Sequence, residues 1–165
     1  MNKAYFETLA RYNAWANARL YDAVAQLPDG EFEKERPSFF GSIKVTLNHV
    51  LNGSRAWAER IEGQPPRKFV FDEVLYDGLD ALRGAQEAFD DRLIALVGDL
   101  TEERIAGDLT YTASLGEATT PMAMVLAHLI NHGTHHRGQV HDMLSATTVA
   151  PPSLDIIYFV RETSA

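Results

Sequence analysis

Cysteine is absent from the sequence of 165 residues, which excludes disulfides, thiolate metal ligands and a cysteine nucleophile from this chain. Any thiol chemistry would need a thiol from outside. Long apolar runs are also absent. The first stretch, MNKAYFETLARYNAW, is interrupted by polar residues, so it has neither the apolar core of a signal peptide nor the length of a membrane span. We therefore expect a cytoplasmic protein that does not enter membranes.

An excess of positive charge is missing as well. The 15 basic residues are outnumbered by 23 acidic ones, which gives a net charge of −8, and such a chain repels polyanions unless a basic patch overrides the charge. No such patch is visible, so nucleic acid is not an expected partner. The sequence also lacks low-complexity tracts and internal repeats. With 45% hydrophobic residues, it predicts one globular domain over residues 1–165.

Apolar residues recur at helical spacing in four long segments. The first covers residues 3–27 and ends at LPDG, and the second covers residues 43–61 with Ser42 as its cap. Asp72 can cap a third helix that runs to about residue 96. Thr120 and Pro121 form a start signal for a fourth helix that ends near Ala146. These segments predict an all-α fold, a four-helix bundle with a long connector between the third and fourth helices.

Two further segments are shorter. Residues 101–119 contain DLTYTASLGEA, whose β-branched and aromatic residues around a glycine suggest an extended hairpin within the long connector. The segment SLDIIYFVRE near the C-terminus is apolar enough to pack on the domain, either as a short helix or as an extended strand.

Five of the six histidines lie between residues 128 and 144, within the predicted fourth helix. On a helical wheel with about 100° per residue, His136, His132 and His128 lie at about −40°, −80° and −120° from the centre of the apolar stripe. Gln139 lies on the same shoulder, near −100°, whereas His141 points to the other side of the helix. Three histidines therefore follow one edge of the buried face.

Residues four apart on a helix can reach one ion, because their β-carbons lie roughly 5 to 6 Å apart. His128 with His132 satisfies this spacing, and so does His132 with His136. His128 and His136 are about 12 Å apart along the axis, which is too far for a shared ion with bonds of about 2.1 Å. Only one of the two pairs can therefore bind a metal.

Two imidazoles give too few ligands for a usual zinc site, so a third should come from another helix. His49 is the remaining histidine. It lies on a shoulder of the second helix with Thr46 and Gly53, whose small side chains could leave a cavity. The zinc-protease signature H-E-x-x-H is absent, because GTH separates His132 from His136. A metalloprotease is therefore disfavoured.

Three stretches of the chain resemble the DinB-like family of bacterial metalloenzymes, which is unrelated to the DNA polymerase of the same name. They are RYNAWANARLYDAV, FGSIKVTLNHVLNGSRAWAERIEG and LAHLINHGTHHRGQVHDML, in the expected order and spacing. HGTHHRGQ is the most specific part. The resemblance covers nearly the whole chain and implies a four-helix bundle that binds a divalent metal, commonly zinc or nickel, through His49, His132 and His136.

The same resemblance implies a homodimer that acts on a small molecule. Relatives of this fold include bacillithiol transferases and a mycothiol-dependent maleylpyruvate isomerase, so a metal that activates a low-molecular-weight thiol is the expected chemistry. Three imidazoles with an open fourth position are typical of catalytic zinc, which activates water or a bound thiol. We therefore expect a thiol-dependent S-transferase. The alternatives are a metal-dependent hydrolase and a non-catalytic, metal-stabilised stress-response or binding protein.

The roles of the neighbouring residues stay open. His128 is either a pocket residue or an ordinary packed or solvated histidine. Gln139 either forms a hydrogen bond to the neighbour of a metal ligand or to a metal-bound water, or it forms one to another helix. Arg137 either binds a substrate carboxylate or extends from the edge of the bundle. We expect Trp57 in the core, and His135 beside the metal ligands without being one of them. No catalytic residue is assigned.

Overall fold

A computed structural model describes residues 2–65, 68–113 and 116–163. Within these residues the chain forms six helices and two strands and is 63% helical. In chain order the elements are α1 (Lys3–Val24), α2 (Ile43–Ile61), α3 (Leu79–Asp99), α4 (Glu102–Ala106), β1 (Asp108–Ala113), β2 (Gly116–Pro121), α5 (Met122–Ser145) and α6 (Ile156–Thr163). The all-α expectation is therefore met in part, since the fold is mostly helical but includes a small sheet.

The four long helices enclose the core. Helix α1 packs against α3 and α5, and α2 packs against the same two helices. Apolar side chains from all four fill the space between them, among them Leu20, Leu51, Leu93 and Leu129. The short helix α4 and the strands pack on α5, and α6 packs on α1. This arrangement brings α2 and α5 into direct contact, which is the contact that builds the site described below.

Local signals explain where two of the long helices begin. Ser42 accepts a hydrogen bond from the backbone N–H of Val45 at 3.2 Å, as a helix cap does, which confirms its predicted role. The side chain of Asn2 caps α1 in the same way, through the N–H of Tyr5 at 3.0 Å. Each cap satisfies one of the backbone donors that a helix start leaves without a partner.

One predicted helix start is wrong and another is displaced by one residue. Helix α3 begins at Leu79 after Gly78, not at Asp72, because the preceding segment forms turns and bends that are bonded to α2. Asn48 holds that segment there: it accepts from the N–H of Tyr76 at 2.9 Å and donates to the carbonyl of Tyr76 at 3.0 Å. Helix α5 begins at Met122, because Thr120 and Pro121 still belong to β2.

The hairpin predicted in the long connector is confirmed. Strands β1 and β2 pair antiparallel, from Asp108 opposite Pro121 to Ala113 opposite Gly116. Ser114 and Leu115, which the predicted hairpin also includes, lie outside the described residues. The apolar segment near the C-terminus is the helix α6, which resolves the choice left open between helix and strand. No helix in the described parts of the chain is long and apolar enough to cross a membrane.

Candidate metal centre

Helices α2 and α5 bring three histidines together. His49 comes from α2, and His132 and His136 lie one turn apart on α5. Each offers one ring nitrogen, and the three nitrogens lie within 4.8 Å of one another. The Nε2 atoms of His49 and His132 are 3.1 Å apart. Of the two pairs that spacing allowed, the structure therefore groups His132 with His136, and this three-histidine group is one that could hold a metal ion.

Hydrogen bonds from Nδ1 orient two of these rings, those of His49 and His136. Nδ1 of His49 lies 2.7 Å from the carbonyl oxygen of Phe71, which can only accept, so Nδ1 donates and carries the proton. Nδ1 of His136 donates in the same way to Oε1 of Gln139 at 2.7 Å. In both rings the neutral form then has a free electron pair on Nε2. This is the pattern that orients histidine ligands in metal proteins.

His132 is the partly exposed member of the group, whereas His49 and His136 are buried. Its Nδ1 is buried and has no hydrogen-bond partner among the described residues. The ring packs on Gly53 of α2, where a β-carbon would lie 2.9 Å from Cε1 of His132. The helices can approach closely here because residue 53 has no side chain. Gly53 thus leaves the space that allows the His132 ring to lie beside His49.

The electrostatics of the group favour neutral rings. Burial lowers the pKa of each of the three histidines below the ordinary 6.5. For His132, burial and then the neighbouring His136 and His49 lower the pKa to about 3. Neutral imidazole is the form that binds metals. Near neutral pH no proton therefore needs to leave these rings before a cation binds, and the donor set fits a divalent ion.

One side of the group is covered by aromatic rings and the other opens to a cavity. Phe40 stacks on His49 with ring centroids 4.3 Å apart, and Phe71 lies 4.8 Å from the same ring. The cavity has a volume of about 310 Å³ and is lined by all three histidines together with Trp57, Arg60 and His128 among others. A small molecule can therefore reach the histidine nitrogens.

The residues beside the three histidines differ in their position relative to the cavity. His128 is exposed and lines the cavity, with its ring 5.0 Å from that of Trp57. Trp57 packs against the core, as expected, and also lines the cavity. His135 is exposed and outside the group, 4.8 Å from the His136 ring. Gln139 makes its hydrogen bond to His136, so it orients this ring instead of bonding another helix.

Arg137 has neither of the roles expected from the sequence. It is 2% exposed, so it lies in the interior and not at the edge of the bundle. Its guanidinium donates to Oδ1 of Asn13 at 2.6 Å and to Oδ1 of Asn17 at 3.0 Å. The two asparagines in turn donate to Asp90 of α3 at 3.0 Å. Two asparagines thus bridge a buried cation and a buried carboxylate.

The sequence pattern does not predict this network. A signal for it exists, because Asn13 and Asn17 are polar residues one turn apart on the apolar face of α1, and buried amides need partners. Gly133 belongs to the same arrangement, since a β-carbon there would lie 3.0 Å from both Arg137 Nη1 and Asn13 Oδ1. The partner Asp90 lies on a separate helix, which spacing alone does not reveal.

Comparison with known proteins shows the family of this chain. The model of the DinB family matches residues 1–163. The chain belongs to the DinB family. Among curated proteins, the relative named Protein DinB from Bacillus subtilis (strain 168) is 27% identical over 171 residues, which cover 94% of each chain.

Solved structures of the family have the same fold. A DinB-like protein from Bacillus cereus ATCC 10987 aligns with a TM-score of 0.65 at 14% identity, over 84% of this chain and 89% of that one. A DinB-like protein from Bacillus subtilis, YjoA, aligns with a TM-score of 0.61 at 14% identity, over 89% of this chain and 97% of that one. At this identity the likeness concerns the fold alone.

Proposed function

We propose that this member of the DinB family is a divalent-metal-dependent enzyme in which His49, His132 and His136 hold the ion, zinc or nickel. The observation that carries the proposal is the convergence of three imidazole nitrogens within 4.8 Å at the wall of an open cavity. Three histidine ligands with one open position are typical of catalytic metal sites, whereas structural sites are closed by four protein ligands.

The reaction we propose is transfer of a small-molecule thiol to an electrophile. When bound, the ion supplies Lewis acidity that lowers the pKa of a coordinated thiol or water. The chain provides the three histidine ligands. It also provides the groups that orient two of them, the backbone carbonyl of Phe71 for His49 and the side-chain amide of Gln139 for His136. Among the described residues that line the cavity there is no aspartate or glutamate. Hydrolysis usually relies on such a general base, so thiol transfer is the preferred reaction and a metal-dependent hydrolase is the alternative.

A titration of cobalt-substituted protein with small thiols tests this proposal. Purified untagged protein is loaded with Co²⁺, and its visible spectrum is followed as mercaptoethanol is added. We expect a thiolate-to-cobalt charge-transfer band that saturates at one equivalent per site, and the same band in the control variant His135→Ala. A cobalt spectrum that does not respond to thiol, azide or imidazole would contradict an open site.

A second candidate is a stress-response or binding protein without turnover, in which the ion only links α2 to α5. The contact between these two helices at the histidines favours it. Thermal melts with and without metal separate the candidates when combined with the cobalt titration. A purely structural ion should raise the melting temperature strongly and exchange slowly, and it should leave the cobalt spectrum insensitive to added ligands.

We further propose, from the family resemblance, that the chain works as a homodimer on a small-molecule substrate in the cytoplasm. In the same proposal the long helices α1, α2, α3 and α5 are a four-helix bundle and residues 1–165 one domain. Sedimentation equilibrium of the untagged protein should give twice the chain mass of 18.4 kDa. A single species at the chain mass, at micromolar concentration, would contradict the dimer.

A further inference from the structure

The cavity at the histidines continues into a second one. The second cavity, of about 510 Å³, shares four lining residues with the first: Ala56, Trp57, Arg60 and Phe69. It extends from there to Gln64 at the end of α2 and to Tyr111 on β1. The two cavities therefore form one groove, which leads from the three histidines to the hairpin. Together they are large enough for a ligand of drug-like size.

A row of rings follows the wall of this groove. The ring of Tyr111 lies 5.2 Å from that of Trp57, and Trp57 lies 5.0 Å from His128. His128 in turn lies 5.9 Å from His132, one of the candidate metal ligands. Such a wall fits a flat or apolar segment of a ligand, because aromatic faces give large contact areas and prefer other rings or aliphatic chains.

Arg60 stacks on the part of this row formed by Trp57 and Tyr111, and it lines both cavities. Its guanidinium is stacked 4.6 Å above Trp57 and 5.6 Å from the Tyr111 ring. Within the described residues Arg60 makes no ion pair and no hydrogen bond, although Glu59 is among the residues that line the second cavity. Arg19 offers a contrast, since it stacks on Trp15 at the same 4.6 Å but also pairs with Glu162 at 3.1 Å.

A stacked guanidinium keeps its edge free for bidentate binding of a carboxylate. In this chain of net charge −8, several arginines pair with a carboxylate of the protein itself, namely Arg19, Arg36, Arg83 and Arg92. Arg60 instead faces a groove that ends at the candidate metal centre. The groove thus has the histidines at one end, and an aromatic wall leads from them to the guanidinium of Arg60, which lies where the two cavities meet.

We infer that the groove binds a molecule with a carboxylate joined to an apolar or aromatic segment, that Arg60 binds this carboxylate, and that the opposite end of the molecule lies at the three histidines. The inference rests on the proposed function in that it names the substrate class of the same site. Arg60 is then a residue that determines specificity, because it selects acids over neutral analogues.

Binding of a matched pair of probes tests the inference. Phenylbutyrate and its neutral analogue phenylbutanamide have the same shape, and isothermal titration calorimetry measures their affinities for the full chain, loaded with zinc and in EDTA. We expect the acid to bind about tenfold or more tightly than the amide, the ratio typical of a charge-assisted hydrogen bond. This preference should vanish in Arg60→Gln and largely return in Arg60→Lys.

Arg19→Gln is the matched control, because it removes an arginine with the same stacking distance on a tryptophan outside the groove. The preference should be unchanged in it. Equal affinities of acid and amide in the unmodified chain, no binding of either probe, or a preference that survives in Arg60→Gln would overturn the inference. The series in EDTA keeps it separate from the proposed function, since loss of metal binding leaves the measurement at Arg60 intact.

Discussion

At the residue scale, the candidate site depends on a few atoms beside the three histidines. The carbonyl of Phe71 and the amide of Gln139 determine which ring nitrogen carries the proton in His49 and His136. Gly53 determines how closely the His132 ring approaches α2. Each contact has a measurable consequence, because partners of metal ligands change metal affinity about 10- to 100-fold when they are lost.

Gly53→Ala is expected to weaken metal binding by about tenfold or more. The added β-carbon would lie 2.9 Å from Cε1 of His132, so the ring must move away from His49. Competition with a chromophoric chelator measures the affinity. Gly138→Ala on α5 is the control, since a β-carbon there meets nothing within 4 Å, and it should bind metal normally. Equal affinities of the two variants would refute this role of Gly53.

Asp90 is expected to titrate with a pKa of about 6, above its ordinary value of 3.8, because burial outweighs the hydrogen bonds from Asn17, Gln86 and Asn13 and the charge of Arg137. Protonation therefore favours the folded chain. The contribution of Asp90 to stability, roughly 3 kcal/mol, is fully present below about pH 4 and lost as the pH rises to about 6.

Carboxyl-carbon NMR can follow this titration directly. Asn17→Ala should raise the pKa of Asp90 further, because it removes hydrogen bonds to both carboxylate oxygens. A midpoint below pH 4 in the unmodified chain would show that the hydrogen bonds and Arg137 outweigh burial.

At the scale of elements, sequence periodicity predicts the long helices well, and it fails where a tertiary contact decides the outcome. Ser42 caps α2 as expected, since a cap depends on residues close in sequence. Asp72 does not start a helix, because Asn48 on α2 binds the backbone of Tyr76 in the following irregular segment. The buried network of Arg137 joins three helices, so its members are far apart in sequence. For the candidate ligands, helical spacing leaves two histidine pairs open, and the resemblance to the DinB-like family implies the group of His49, His132 and His136 that the structure brings together.

Asn48→Ala is expected to loosen the irregular segment that precedes α3. It removes two hydrogen bonds to Tyr76 from a fully buried amide, which should lower the free energy of unfolding by about 1–3 kcal/mol. It should also weaken metal binding by about tenfold, because the carbonyl of Phe71 that orients His49 belongs to the same segment.

Urea unfolding in EDTA and a chelator competition measure the two effects of Asn48→Ala. Asn131→Ala, an exposed asparagine on α5, serves as the comparison and should change neither quantity by much. Metal affinity that is unchanged in Asn48→Ala would separate the segment from the site.

At the scale of the whole molecule, the fold divides its polar interior into two parts. The contact of α2 with α5 carries the three histidines and the groove, and the contacts of α1 with α3 and α5 carry the network of Arg137 and Asp90. Helix α5 belongs to both, with His136 in one and its neighbour Arg137 in the other. The buried network thus helps to fix the helix that presents two of the three candidate ligands.

The most direct test of the central claim is the metal content of purified, untagged protein, measured by inductively coupled plasma mass spectrometry for the unmodified chain and for single alanine variants. We expect one divalent ion per chain, retained in His135→Ala and His141→Ala and lost in His49→Ala, His132→Ala and His136→Ala. Tightly bound metal that persists in His132→Ala and His136→Ala, or no metal in the unmodified chain, would contradict the assignment.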